Sequence, residues 1–311
     1  MITVDTLSGS PLSQPCAVAL GYFDGVHLGH RAVIRKAKSY KAKGLQTCVF
    51  SFATNKASPE SGKGSKNLTT FTVKERLMRR LGVDCLFVPD FAEFKDYEPE
   101  AFVKQVLWQK LQAKVLCCGE SFRFGRRAGG DVQLLARLCG ECGITLHVVP
   151  DVVAEGAPVS STRIRALLAA GEAVQAARLL GRPFSYDYPV VAGKRIGRTL
   201  DFPTINQRFG AGMFLPRCGV YAAYVTLHGK RLPAVTNIGV RPTIEGGLSP
   251  NSETYILGYS GDLYGKRVEV HLIRFLRDEL RFDTLAQLKN AIAEDTAAVR
   301  EHFNLWLKEA R

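Results

Sequence analysis

Long apolar runs are missing from this chain of 311 residues: no stretch approaches the roughly 18 uninterrupted apolar residues of a membrane span. The first fourteen residues are polar and carry no basic flank followed by an apolar run, so they do not read as a secretion signal. Long polar or repetitive tracts are absent too, which argues against disorder, and no internal repeat is present. What remains is a globular chain of two-domain length, expected in the cytoplasm with no membrane partner. Acidic residues are in deficit, 29 Asp and Glu against 42 Lys and Arg, for a formal charge of +13. That balance points to an anionic partner or to a basic, merely solvated surface. The basic residues are spread along the chain, and no basic arm, RNA-recognition motif or zinc finger occurs, so no nucleic-acid partner is expected. Phosphorylated small molecules remain.

Of the eight cysteines, Cys139 and Cys142 form a C-x-x-C, but two further ligands at similar spacing are lacking, and a zinc site needs them. The pair closes an expected helix instead of opening one, which also argues against thioredoxin-like chemistry. Cys117 and Cys118 lie in an apolar run and read as buried thiols of a reduced compartment.

In the first part, short apolar runs alternate with amphipathic stretches. Strands are expected at residues 16–20, 46–52, 85–88, 115–118 and 144–149, and helices at 30–43, 73–80, 99–109, 132–138, 162–169 and 173–180. Such alternation predicts an α/β domain with a parallel sheet covered on both faces. Near Leu180-Gly-Arg-Pro183 the pattern changes to short β-branched runs at 188–192, 220–227, 232–238, 253–258 and 267–275, broken by Gly and Pro. This predicts an antiparallel barrel or sandwich. The chain closes in an amphipathic helix whose Leu285, Leu288, Ile292, Val299, Phe303 and Trp306 share one face.

Gly21-Tyr-Phe-Asp-Gly-Val-His-Leu-Gly-His30 follows the first of these strands and opens the first helix. Glycines let the backbone approach a ligand, and the free N–H groups of a helix start receive anions. His27 and His30 are one helical turn apart and suit a phosphate whose charge grows in a transition state. The plainer alternatives are two incidental histidines, or a zinc pair that lacks an evident third ligand. Val159-Ser-Ser-Thr-Arg-Ile-Arg165 again precedes a helix, where hydroxyls cap or bind phosphate and Arg offers planar donors. Gly193-Lys-Arg-Ile-Gly-Arg-Thr-Leu-Asp-Phe-Pro-Thr-Ile-Asn206 joins a Gly- and base-rich loop to a short polar strand. It can fold over phosphates or be an ordinary hairpin loop, and it is not a Walker loop.

The His-x-Gly-His turn with Ser-Ser-Thr-x-Ile-Arg resembles the nucleotidyltransferase superfamily. Residues 21–30 together with Gly119-Glu-Ser-Phe-Arg-Phe-Gly125 resemble the bacterial bifunctional riboflavin kinase/FAD synthetase family. The 193–206 segment is similar to that family's kinase signature, with Asp201 and Ile205 as departures. Further matches follow in order: Pro216-Arg-Cys-Gly-Val-Tyr221, Asn237-Ile-Gly-Val-Arg-Pro-Thr243, Glu253-Thr-Tyr-Ile-Leu257, Asp262-Leu-Tyr-Gly265 and Phe275-Leu-Arg-Asp-Glu279.

The resemblance implies a Rossmann-like nucleotidyltransferase domain over 1–183. It also implies a riboflavin kinase domain over 184–311, an antiparallel β-barrel with a terminal α-helix. The substrates and products would be ATP, riboflavin, FMN and FAD, with Mg2+. In the first domain, FMN phosphate would attack the α-phosphorus of ATP. Gly21, Phe23, Asp24 and Gly25 would meet the nucleotide, with His27 and His30 on the α/β-phosphates and Ser161, Thr162 and Arg165 on the outer ones. His27, His30 and Arg165 would be catalytic. In the second domain, Glu253 would be the base, Thr204 and Asn206 the Mg2+ ligands, and Gly193, Lys194, Gly197, Arg198 and Thr199, with Arg195, the phosphate cover. Arg300 would lie near the flavin.

Two departures fall in the first domain: Phe52-Ala-Thr-Asn-Lys56 stands for Phe-x-Pro-His-Pro, with Asn55 at the His and both prolines gone, and Ser121 stands for an Asp or Asn; Asn55 and Ser121 are both expected near FMN. They motivate a second reading, a riboflavin kinase with an impaired adenylyltransferase domain. A third reading, a non-enzymatic flavin sensor or RNA binder, leaves Glu253, Thr204 and Asn206 without a use. The protein is expected as a monomer or weak homo-oligomer.

Overall fold

A computed structural model describes residues 1–52, 66–193, 202–210, 212–242 and 248–309. The chain falls into two compact units, Met1–Ser65 with Lys74–Ser160, and Lys66–Val73 with Ser161–Arg311.

The first unit is organised on one strand. Cys16–Leu20 has no polar residue and is buried throughout. A run without alternation suits a parallel strand covered on both faces. With Ile2–Val4 as β1 and this run as β2, the other strands are β3 (Gln46–Phe50), β4 (Cys85–Phe87), β5 (Ala113–Gly119) and β6 (Thr145–Val149). They pair in parallel in the order β1-β4-β3-β2-β5-β6. β3 lies on one side of β2 and β5 on the other, so the winding reverses there. Ligand crevices open beyond the carboxyl ends of strands at such a reversal. Residues 21–30 leave β2 at that point.

Helices α1 (Leu28–Lys38) and α2 (Phe71–Leu81) contribute Ile34, Ala37 and Met78 to a core with Ala17, Val49 and Leu86. A second core joins Leu107, Leu135 and Leu138 to Val18, Phe50 and Leu116. Each fully buried Val, Leu, Ile, Phe or Met side chain among them contributes ~1.5–3 kcal/mol relative to exposure. The helix expected at 99–109 is different in kind. A short α3 (Pro99–Ala101) runs into a π-helical segment, Phe102–Lys110. Its buried residues Phe102, Val103, Val106, Leu107 and Lys110 recur every fourth position. That pattern fits the wider turn as well as the ordinary one, so periodicity does not separate them. α4 is Val132–Glu141, with Asp131 as its N-cap. Cys139, at its end, is buried, and burial pushes its thiol up to about 12. All eight cysteines are free, and no cluster of His, Cys, Asp and Glu able to hold a metal occurs among the described residues.

A two-stranded hairpin, β7 (Val153–Ala154) and β8 (Ala157–Pro158), ends the first unit. In the second, α5 (Ser161–Ala170) and α6 (Ala173–Leu180) precede six antiparallel strands. These are β9 (Phe184–Pro189), β10 (Thr204–Arg208), β11 (Gly219–Leu227), β12 (Lys230–Pro242), β13 (Leu248–Ile256) and β14 (Arg267–Arg277). Their order is β10-β13-β12-β11-β14-β9, and Val191, just past β9, donates its N–H to the Asn206 carbonyl on β10 at 2.8 Å. That bridge brings the two ends of the sheet together as a barrel. β9 begins earlier than the strand expected at 188–192, because Phe184 and Tyr186 are buried in the barrel.

The terminal helix α7 (Leu285–Glu309) packs Val299 and Phe303 on Val220, Ala222 and Tyr224, with Trp306 stacked 4.4 Å from the Tyr224 ring. Leu285, expected on the packed face, is 61% exposed. The first half of α7 walls a cavity instead of closing on the barrel. No described helix is long and apolar enough to cross a membrane.

Candidate active sites

In the first unit, the turn after β2 has an unusual backbone. Phe23 (φ 54°), Gly25 (φ 80°) and Val26 (φ 47°) all lie in the left-handed region. Only Gly25 takes it without strain. A Cβ on Gly21 would sit 3.1 Å from the Phe23 ring, so a side chain there would crowd that ring. The turn leads to His27, which caps α1 by accepting the His30 N–H on Nδ1 at 3.3 Å. In the neutral ring this places the His27 proton on Nε2, as a donor. The two imidazoles stack with centroids 3.5 Å apart, and the Phe23 ring meets His30 edge-on at 5.3 Å. His27 and Asp24 are buried. Burial, then His27 and Lys74, holds His30 well below its ordinary 6.5, so it is a neutral imidazole at neutral pH. Its buried Nδ1 has no hydrogen-bond partner.

Three residues assigned no role from sequence complete this turn. The Tyr22 carbonyl accepts from Ser51 Oγ and from Lys74 Nζ, each at 2.9 Å, and Lys74 also lies 4.4 Å from the Tyr22 ring centroid. The signal was present: Lys74 falls between Val73 and Met78 on the apolar side of α2. Beyond the turn, Tyr22, Phe52, Phe91 and Phe94 form a chain of ring contacts at 4.8–5.4 Å. Ser121 is exposed in the turn after β5, beside the stacked Phe122 and Phe124. Asn55, Lys194, Arg195, Gly197, Arg198 and Thr199 lie outside the described residues.

In the second unit, Ser161 is the first residue of α5, Thr162 is exposed, and Arg165 Nε donates to the Lys66 carbonyl at 2.8 Å. Two cavities of the barrel are lined by described residues. One, of about 510 Å³, is lined by Val190, Pro203, Thr204, Tyr259, Asp262 and Tyr264 among others. The other, of about 330 Å³, lies between the outer face of the sheet and α7 and is lined by Thr204, Asn237, Glu253, Tyr255, Glu279, Leu288, Ile292 and Asp295 among others. Both volumes are in the range of small-molecule sites. Thr204 lines both.

Register explains the grouping. Asn206, Glu253 and Asn237 are direct cross-strand neighbours on β10, β13 and β12, with Thr204 opposite Tyr255. Side chains so paired stand about 5 Å apart at Cβ. Alternation sends Ser252 and Thr254 into the barrel, where both are fully buried, and leaves Glu253 on the α7 side. A Cβ on Gly193 would lie 2.4 Å from Asn206 Nδ2, so a larger residue there would displace the Asn206 side chain.

Asn237 donates to Glu279 at 2.9 Å while its own Oδ1 is buried without a partner. Arg277 grips Asp295 of α7 through two bonds of 3.0 and 2.7 Å. Asp295 was legible as a carboxylate inside the Ile292–Val299 stripe but was assigned no role. Arg300 is exposed, and the α7 residues on the cavity are Leu288, Ile292 and Asp295.

A family model described as FAD synthetase matches residues 10–163, and one described as riboflavin kinase matches residues 180–303. A bifunctional riboflavin kinase/FMN adenylyltransferase of Listeria monocytogenes is 34% identical over 291 residues, 92% of each chain. The protein of the same description from Escherichia coli is 35% identical over 306 residues, 97% of each chain. Among solved structures, a protein described as a macrolide-efflux protein from Streptococcus pneumoniae is similar with a TM-score of 0.84 and 27% identity, covering 96% of this chain and 98% of that one.

Proposed function

The chain belongs to the bifunctional riboflavin kinase/FMN adenylyltransferase family, and from that premise we propose that it phosphorylates riboflavin to FMN at the barrel and adenylylates FMN to FAD at the parallel sheet. We assign residues 1–183 to adenylyl transfer and 184–311 to the kinase.

The observation that carries the kinase reading is the shared wall at Thr204. ATP occupies the larger cavity and riboflavin the smaller. The isoalloxazine lies among Tyr255, Leu288 and Ile292, with the ribityl chain directed at Thr204 and Glu253. Glu253 takes the proton of the 5′-hydroxyl as its oxygen attacks the γ-phosphorus, and ADP leaves. Thr204 and Asn206 alternate onto one face of β10 beside Glu253, a set of hard oxygen donors of the kind Mg2+ prefers together with phosphates and water. Bound there, Mg2+ would neutralise phosphate charge. Gly193 and any residues that cover the phosphates complete the site.

At the sheet, the His27 Nε2–H and the N-terminus of α1 receive the phosphates, with His30 behind His27 as its stacked support. A phosphate oxygen of FMN attacks the α-phosphorus in line, and pyrophosphate leaves. The free thiols fit a reducing compartment, and we place both reactions in the cytoplasm.

The direct test is chromatography of the flavins after incubation with riboflavin, ATP and Mg2+. FMN and FAD are both expected; FMN alone overturns the adenylyl-transfer half, and unchanged riboflavin overturns the whole reading. Two variants refine the barrel site. Gly193→Ala pushes Asn206 from its place and should raise the Mg2+ concentration for half-maximal FMN formation by roughly 10–100-fold. Arg277→Ala frees α7 from β14 and should raise KM for riboflavin by roughly 10–100-fold, the worth of a charge-assisted pair at ~1.5–3 kcal/mol. A steady-state titration reads each, and an unchanged half-saturation point refutes the role given to that residue.

A further inference from the structure

The Gly21–His30 turn holds Phe23 and Val26 in a left-handed backbone that side-chain-bearing residues adopt at a cost. Something outside the turn must hold it there. The Tyr22 carbonyl, just before Phe23, is fixed from two directions: by Ser51 at the end of β3 and by Lys74 from α2. Two donors on one carbonyl fix the orientation of the peptide that enters Phe23. From there the chain passes through Asp24 and Gly25 to the His27 cap and the stacked His27/His30 pair.

Lys74 is an expensive way to do this if packing alone is the purpose. The side chain is buried, and a buried ammonium is costly unless compensated. A methionine of similar length would fill the same slot without that cost. Burial pulls the Lys74 ammonium down to about 8, with Asp24 opposing the fall. Asp24 is itself buried, so the turn contains an opposite charge for the lysine. The cation therefore stands beside the turn, on its carbonyl, over the Tyr22 ring and near the His27/His30 pair.

We infer that Lys74 is a positioning residue for adenylyl transfer, pinning the Tyr22 carbonyl so that the turn presents His27 and the start of α1 to the nucleotide phosphates. The inference rests on the adenylyl-transfer reading of this turn. Lys74 acts through the backbone and has no proton-transfer step. Its importance is in transition-state alignment, so its loss appears in kcat more than in KM.

The test uses the full chain with Lys74→Met, Lys74→Arg and Ser51→Ala. FMN-to-FAD conversion is followed at varied ATP and FMN, and riboflavin-to-FMN conversion is followed in the same preparations. Expected for K74M is a fall in kcat of FAD formation of about 10²-fold with KM values within about threefold, and unchanged FMN formation. K74R, which keeps a cationic donor, should recover at least about tenfold of that loss, and S51A should fall in the same direction by less.

A pure packing role predicts that K74M keeps wild-type kcat, and that result overturns the inference. So does K74R no better than K74M, or a K74M loss carried by KM with kcat intact. If K74M is too poorly folded to saturate with ATP, an S51A kcat equal to wild type overturns it instead. Should the wild-type chain itself convert no FMN, the adenylyl-transfer reading fails, which is distinct from a wild type that makes FAD with or without Lys74.

Discussion

Glu253→Ala lowers FMN formation by roughly 10²–10⁴-fold, the usual worth of a positioned general base, and leaves conversion of supplied FMN to FAD at its wild-type rate. The expectation follows from where β13 puts the side chain. Register sets Glu253 between Asn206 and Asn237, and alternation turns it out of the barrel toward α7. A neutral primary hydroxyl is a poor nucleophile until its proton has somewhere to go. A carboxylate next to the shared wall of the two cavities is the group in place to take it. Glu253→Gln is the stricter variant, since the amide preserves size, shape and one acceptor oxygen but cannot take the proton. Both variants should keep riboflavin and ATP binding close to wild type while kcat falls. A Gln variant with wild-type turnover removes the base role. A joint loss of FMN and FAD formation, with FMN supplied for the second reaction, would refute the separation into two sites.

The parts of this molecule legible in sequence are those whose cause is local. β2 announces itself as an unbroken apolar run, and the His-x-Gly-His turn after it places two imidazoles one helical turn apart. The order of elements then makes β2 the point where the sheet reverses, and in folds of this kind crevices open beyond the carboxyl end of such a strand, where this turn begins. The parts that were not legible depend on distant partners. Asn206, Asn237 and Glu253 become one row only through the pairing of β10, β13 and β12. Closure of the barrel at Val191 and Asn206 is likewise a long-range fact.

Lys74 and Asp295 are intermediate cases. Each is a charged residue on the apolar side of an amphipathic helix, which a strict reading of periodicity marks as anomalous. Neither can be given a role until its partner is seen, the Tyr22 carbonyl for one and Arg277 for the other. The π-helical 102–110 segment is harder still, because nine residues with a four-residue repeat fit two helical pitches. Leu285 shows the reverse error: it fits the apolar stripe of α7, yet it is exposed where the first half of the helix walls a cavity.

His30→Ala has the opposite signature to Glu253→Ala. FAD formation from FMN should fall by about 10²–10³-fold, the cost of disabling a preorganised donor site for developing charge, while FMN formation from riboflavin stays at its wild-type rate. The His30 ring stacks on His27 and is wedged by Phe23, so its removal lets the His27 imidazole turn away from the direction set by its cap. The pH behaviour gives a second measurement. Burial first, then His27 and Lys74, keeps His30 unprotonated well below 6.5. In the unfolded chain the imidazole takes a proton as pH falls through its ordinary 6.5, whereas in the folded chain it does not. The unfolded state then binds more protons, so folding stability declines as pH falls below 6.5 until the folded-state value is reached. Denaturant midpoints of the wild-type chain should drop over that window, and those of His30→Ala should drop less steeply. Parallel slopes would show that His30 is not the buried neutral group. Full retention of FAD formation by His30→Ala would remove the turn from the adenylyl-transfer site, whatever the barrel does.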